Sequence, residues 1–189
     1  MERGTLYGIE GLDGTGKTTV AKQLALDTNL EYLYFLDNNR LKAFRTHFDK
    51  APVPSRFLYY LLAAIECDKQ VDGRLQYGNI ILDRTIYSTI AYHKALGLNS
   101  AFIKLIPRKM LDRYSKILYL TADNTTRQAR ITNRRLDSKA NKSDDVSFVF
   151  DRSIDREYRL AAKNKLLEFQ TSNMSVSEVV NEIRIKLNI

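Results

Sequence analysis

Short apolar runs alternate along this chain with longer segments in which apolar residues return every third or fourth position. Residues 5–9 (Thr-Leu-Tyr-Gly-Ile) suit a buried strand, and 19–27, apolar at Val20, Ala21, Leu24 and Ala25, reads as a helix. Residues 31–36 are rich in β-formers and predict a second strand. Asp37-Asn38-Asn39 breaks it and can cap a helix from Arg40 to about Phe48, which Pro52 and Pro54 are expected to end. A long apolar helix over 55–71 stops at Asp72-Gly73. Residues 79–82 form the next strand and run into Asp83-Arg84; 85–96 is helical and is closed by Gly97. After Pro107 a short helix reaches about Tyr114. A strand over 117–120 leads to a helix from Asn124 that carries Arg127, Arg130, Arg134 and Arg135. Residues 137–147 are polar without periodicity and are expected to be mobile. A helix from Phe148 to about Leu160 follows, then a fifth strand at 166–169. Ser175 and Glu178 fit a capping box that opens the last helix.

Buried strands alternating with helices predict an α/β fold: a parallel sheet, here of five strands, covered by helices on both faces. Such sheets bind ligands beyond the carboxyl ends of their strands. The turn after the first strand, Asp83 and the end of the 116–120 strand are therefore expected to converge. With 189 residues and neither repeat nor linker, the chain is read as one domain, 1–189.

The turn after the first strand is Gly11-Leu12-Asp13-Gly14-Thr15-Gly16-Lys17-Thr18, which fits G-x-x-x-x-G-K-[ST], with Thr19 next. Glycines let the backbone take conformations closed to other residues, so N–H groups can line one concavity. The helix that follows turns the positive end of its dipole toward it. A triphosphate suits that nest. Lys17 would reach the β- and γ-phosphates, and Thr18 would offer its hydroxyl to Mg²⁺. Asp83, at a strand end, can hold Mg²⁺ through water or orient an acceptor, and Arg84 can grip a phosphate with two hydrogen bonds.

Composition narrows the setting. Hydrophobic residues make up 44% and charged residues 28%, which is ordinary for a globular protein. One cysteine rules out an internal disulfide, and two histidines apart from it form no zinc cluster. No apolar run is long enough for a membrane span, and the N-terminus enters a strand directly, so an intracellular, cytoplasmic protein is expected. The net charge of +8 is spread along the chain, with one concentration at Arg127 to Lys142 and no basic tail, and reads as a solvated surface, so no nucleic-acid or membrane partner is expected.

From Asp83 the chain reads Asp-Arg-Thr-Ile-Tyr-Ser-Thr-Ile-Ala-Tyr, ending at Tyr92. With the Glu10–Thr19 loop, the arginine-rich stretch Ala129–Asp137 and the helix Phe150–Tyr158, this resembles the thymidylate kinase family of nucleoside monophosphate kinases, in register from about residue 5 to 160. The resemblance implies a P-loop kinase fold with a mobile lid, here about 134–147. It implies transfer of the ATP γ-phosphoryl group to the 5′-phosphate of thymidylate (dTMP), with Mg²⁺. By the same match, Gly11 to Thr19, Arg130 and Arg134 bind ATP; Asp13 contacts the acceptor sugar; Arg84 holds the acceptor phosphate; Asp83 assists Mg²⁺; Ser88 and Tyr92 face the acceptor; and Arg134 or Arg135 closes over ATP. A homodimer is also implied.

The chain departs from the family in two places. Asp37-Asn38-Asn39-Arg40 replaces an Arg-containing, Pro-Gly-rich stretch, leaving Arg40 or Arg45 for the acceptor phosphate. Residues 57–66 offer aromatics but lack the arginine that reads thymine; Arg56 lies before them. Phe57, Tyr59 or Tyr60 could stack on a base, or pack the core. Three other readings stay open. They are a broader pyrimidine monophosphate kinase, a deoxynucleoside kinase using Glu10 or Glu66 as base, and a non-catalytic P-loop protein.

Overall fold

The computed structural model describes residues 3–137 and 148–189. In chain order the elements are β1 (Leu6–Gly11), α1 (Lys17–Asp27), β2 (Leu30–Tyr34), α2 (Asn39–Phe48), α3 (Val53–Arg74), β3 (Asn79–Asp83) and α4 (Ile86–Ala95). They continue with α5 (Ser100–Ile103), α6 (Arg108–Asp112), β4 (Lys116–Thr121), α7 (Asn124–Asp137), α8 (Phe148–Ala161), β5 (Leu166–Gln170) and α9 (Val176–Leu187). The strands form one parallel sheet in the order β2-β3-β1-β4-β5. The expected five-stranded α/β architecture is the one observed.

The period-2 alternation of strand side chains divides the core. Tyr7, Ile9, Ile81, Leu118 and Leu120 pack against Val20 and Leu24 of α1 and Val179 and Ile183 of α9. Leu6, Ile80, Leu82, Ile117 and Tyr119 face the other way, against Phe57 and Leu61 of α3, Ile86 and Ile90 of α4 and Ile154 of α8. With helices on both faces, β1, β3 and β4 are buried along nearly their whole length, which is why they read as continuous apolar runs.

Several boundaries differ from the sequence expectation, each for a physical reason. Pro54 does not end α2; it sits in the first turn of α3, where its missing N–H would have had no partner anyway. At the other end α3 passes through Gly73 to Arg74. Arg113 bonds Asp68 and Asp72 on its last turns, and Leu75 is drawn into the core. The capping box at Ser175 and Glu178 is present with both reciprocal hydrogen bonds. The expectation of a mobile 137–147 segment falls almost wholly outside the described residues.

β1 is central, and the reversal of strand order beside it opens a crevice at the carboxyl ends of β1, β3 and β4. The P-loop, Asp83-Arg84 and the start of α7 all meet there.

Candidate active site

The loop after β1 is built for an anion. Gly14 holds φ +82°, and a Cβ there would press on the Arg127 backbone, so only glycine fits. Gly16 enters α1 from the left-handed region, and no side chain caps the helix, which leaves its first N–H groups to a ligand. The Lys17 ammonium donates to the Leu12 carbonyl at 2.7 Å and lies 3.8 Å from Asp13. Burial, together with the positive charge of Arg84, pushes the Lys17 pKa down to about 8. A cation so desolvated gains strongly from an arriving phosphate.

Thr18 and Asp83 meet as expected. The Thr18 hydroxyl donates to Asp83 Oδ2 at 2.6 Å, and the Tyr32 hydroxyl donates to the same oxygen at 3.2 Å. Asp83 Oδ1 is buried without a hydrogen-bond partner. A hydroxyl and an orphaned carboxylate oxygen are hard donors of the kind Mg²⁺ takes alongside water and phosphate, so this pair fits the ion. No cluster of three or more His, Cys, Asp or Glu side chains exists among the described residues; an ion held by Thr18 and Asp83 would complete its shell with phosphate and water oxygens.

Two cavities adjoin at this crevice. The first, about 700 Å³, is lined by Asp13 to Val20, Arg130, Arg134, Thr171 and residues of α9. The second, about 350 Å³, lies between α3 and α4 and includes Ser88, Tyr92, Tyr60 and Phe150. Asp13, Tyr34, Arg45 and Arg84 line both. Arg84 sits at φ +66°, a conformation that costs a non-glycine residue about 1–3 kcal/mol. Its amide donates to the Ile9 carbonyl at 3.1 Å and its guanidinium bonds Asp13 at 2.6 Å. That strain aims a guanidinium at the junction of the two cavities. Burial alone would raise the Asp13 pKa, but Arg84 and Lys17 outweigh it and hold the carboxyl well below the ordinary range.

Around the junction is a rigid frame. Glu10 is fully buried and accepts hydrogen bonds from the Thr85 and Ser88 amides, both their hydroxyls and the Tyr158 hydroxyl. Burial raises its pKa, while these donors and the Arg84 charge oppose the rise. Glu10 thereby joins β1, α4 and α8. Arg127 is 1% exposed; it donates to the Asp13 carbonyl at 2.7 Å and to Asp151 at 2.8 Å. It fastens the P-loop to the start of α7 and of α8, and is no solvated helix residue.

Most site residues named from the sequence are brought together. Asp13 to Thr19, Arg130 and Arg134 line the larger cavity, and Ser88, Tyr60 and Tyr92 the smaller. Arg130 is held by the Thr171 carbonyl and hydroxyl and by Gly14. Four expectations change. Gly11 and Leu12 lie behind the cavity wall, Gly11 closing β1 and Leu12 packing on the core, and only the Leu12 carbonyl serves, by holding Lys17 and Thr15. Tyr59 is not in the acceptor cavity; it stacks on Phe48 at 4.8 Å and donates to the Leu41 carbonyl, because position 59 of α3 faces α2. Phe57 is core. Glu10 and Glu66 line neither cavity, Glu10 being saturated and Glu66 paired with Lys69. The Arg135 side chain, like that of Arg40, lies outside the described residues.

The sequence offered Arg40 or Arg45 for the acceptor phosphate without choosing between them, and gave no signal for Tyr34, Thr89 and His93. Arg45 becomes a junction residue only because α2 folds back over the crevice, where it pairs with Asp49. Aromatics flanking a strand or helix gave no signal that separates wall from core.

Comparison with known proteins agrees with this geometry. The thymidylate kinase family model matches residues 9–183. A probable thymidylate kinase of Methanocaldococcus jannaschii is 32% identical over 179 residues, covering 93% of this chain and 91% of that one. One of Methanococcus vannielii is 28% identical over 189 residues, with 93% and 91% covered. Among solved structures, the thymidylate kinase of Candida albicans superposes with a TM-score of 0.74 at 19% identity, over 98% of this chain and 92% of its own. Deoxyadenosine kinase of M. mycoides gives 0.71 at 20% identity, over 97% and 99%. At those identities the two structures speak to the fold alone. The family match over nearly the whole chain, with the P-loop, Asp83-Arg84 and the paired cavities in place, shows that the chain belongs to the thymidylate kinase family of nucleoside monophosphate kinases.

Proposed function

We propose that this chain transfers the γ-phosphoryl group of ATP to the 5′-phosphate of dTMP, giving ADP and dTDP. The observation that carries the reading is the junction of the two cavities at Asp13, Tyr34, Arg45 and Arg84. A donor triphosphate on the P-loop and an acceptor phosphate in the smaller cavity would meet there. Phosphoryl transfer needs positioning and charge stabilisation more than covalent chemistry. Lys17 neutralises the donor phosphates, Arg84 and Arg45 draw the acceptor phosphate into line, and Arg130 and Arg134 add charge from α7. Thr18 and Asp83 would hold Mg²⁺, which supplies charge neutralisation on the phosphates. Asp13, kept ionised by Arg84, is a fixed acceptor for a sugar hydroxyl or for Arg84 itself. Arg130 and Arg134 on the wall of the donor cavity would help to exclude water, which would otherwise take the phosphoryl group.

A deoxynucleoside kinase reading would require a carboxylate base beside a 5′-hydroxyl: Glu10 and Glu66 line neither cavity, and the two carboxylates that line the acceptor cavity are engaged, Asp13 with Arg84 and Asp49 with Tyr60 and Arg45. We further read the protein as a cytoplasmic homodimer. Among the described residues no helix is long and apolar enough to cross a membrane, and Leu58 and Leu62 of α3 are about half exposed on one face. Sedimentation giving a monomer at micromolar concentration would refute the dimer.

The test is ADP production from ATP and Mg²⁺ with dTMP, dUMP, UMP, CMP, GMP, AMP, thymidine and water as acceptors. Turnover with dTMP and dUMP is expected. Broad turnover with monophosphates would mean relaxed specificity, turnover with thymidine a nucleoside kinase, and binding of ATP without turnover a non-catalytic protein. Arg84→Ala should lower kcat/KM for the acceptor by roughly 10- to 100-fold, through both KM and kcat. If only the KM for ATP changed, Arg84 would belong to the donor.

A further inference from the structure

The acceptor cavity carries unspent polar chemistry away from the phosphate junction. Its wall includes Arg56 of α3 and Thr89 and His93 of α4. Arg56 Nε, Thr89 Oγ1 and His93 Nε2 are all buried, and none has a hydrogen-bond partner among the described residues. Thr89 and His93 are each only 3% exposed. Buried polar atoms are normally paired, so three orphans around one cavity point to a ligand that completes them.

The hydrogen-bond roles of these atoms can be assigned. His93 Nδ1 lies 2.7 Å from the Thr89 carbonyl oxygen, which can only accept. Nδ1 therefore carries the proton. Burial depresses the ring's pKa and Arg56 adds to this, while the Thr89 hydrogen bond and Asp49 oppose it; the net direction is downward and the ring is neutral near pH 7. Nε2 is then a bare acceptor. Arg56 Nε–H is a donor and nothing else, and the Thr89 hydroxyl serves either way. The cavity thus offers donor, acceptor and adaptable hydroxyl. A thymine or uracil edge presents carbonyl, N–H, carbonyl. Cytosine presents a bare ring nitrogen where the imide N–H would be, which would set two acceptors against each other at His93. Guanine has a carbonyl and an N–H, but carries an amino group in place of the second carbonyl and adds a second ring.

We propose that Arg56, Thr89 and His93 form the base-reading edge of the acceptor cavity, with His93 Nε2 accepting the imide N–H of a thymine- or uracil-type base and Arg56 Nε donating to a neighbouring carbonyl. This accounts for the absence of an arginine within residues 57–66: base reading has moved to the first turns of α3 and to the α4 histidine. Tyr60, whose hydroxyl is tied to Asp49 at 2.7 Å, and Phe150 supply aromatic walls around the same cavity. The inference rests on the reading of this cavity as a nucleoside monophosphate site.

The test uses dUMP and dCMP, which have the same shape and differ only at this edge. Calorimetric binding to the full chain should favour dUMP over dCMP by roughly 100-fold or more, with dTMP binding at least as well as dUMP. In His93→Leu the dUMP/dCMP ratio should collapse to within about threefold, a change that a merely structural role for His93 would not produce. Arg56→Met, on a half-buried residue, should weaken dTMP and dUMP roughly tenfold, leave the KM for ATP unchanged, and serve if His93→Leu does not fold. Equal binding of dUMP and dCMP by the natural chain overturns the proposal. So does an undiminished ratio in folded His93→Leu, or an unchanged dTMP affinity in Arg56→Met; in those cases phosphorylation of dTMP by the natural chain would leave the kinase reading standing. If no monophosphate binds or is phosphorylated, the kinase reading falls and takes this inference with it.

Discussion

Replacing Arg127 by methionine tests whether the P-loop is held in place by a buried ion pair. Methionine keeps much of the apolar stem and removes the guanidinium. The pair to Asp151 spans 2.8 Å between side chains that are 2% and 15% exposed. Breaking a buried pair by removing one partner costs about 3–5 kcal/mol. Water reaches part of Asp151, so the lower end, about 3 kcal/mol, applies. The Asp13 carbonyl also loses its 2.7 Å donor, adding about 1 kcal/mol. The expected loss is about 4 kcal/mol, which for a chain of this length lowers Tm by about 8–16 °C. Urea and thermal unfolding of Arg127→Met, Asp151→Leu and the double variant form the cycle. The double variant should recover at least about 2 kcal/mol, because no charge is then left unpaired. The acceptor KM should rise in the single variant, since the Asp13 backbone is no longer pinned. A loss below about 1 kcal/mol, or no recovery in the double variant, would refute the reasoning.

Two further predictions concern the donor site and the fold. Triphosphate binding should return the Lys17 pKa from about 8 toward its ordinary value, so the protein takes up about half a proton at pH 8 and almost none at pH 6.5. Calorimetry in buffers of different ionisation enthalpy measures this, and uptake that persists in Lys17→Met would assign it elsewhere. Ser175→Ala removes the capping box that opens α9, between Met174 and Val176 in the wall of the larger cavity, and should cost about 1 kcal/mol in urea unfolding while raising the KM for ATP more than that for the acceptor; an unchanged urea midpoint would refute the capping role.

By itself the sequence determined the parts whose signal is local. The spacing of glycines, lysine and threonine from Gly11 to Thr18 can serve little besides a phosphate, because the backbone needs glycine at φ +82° and +90° and the ligand needs Lys17 and Thr18 just beyond. Apolar runs at 79–82 and 117–120 announced buried parallel strands, and Ser175 with Glu178 announced a helix start. Tertiary structure decided what depends on which face of an element meets which neighbour. Tyr59 and Tyr60 are adjacent in sequence, yet one stacks on Phe48 and the other lines the acceptor cavity, because neighbouring helical positions point about 100° apart. Arg127, Arg130 and Arg134 share one helix and one chemistry. Packing makes the first a buried strut, the second a brace to Thr171 and the third an exposed charge in the cavity wall. The orphaned atoms of Arg56, Thr89 and His93 come from different turns of two helices. Only the packing of α3 beside α4 brings them to one cavity, and periodicity along a single helix carries no record of what the neighbouring helix presents.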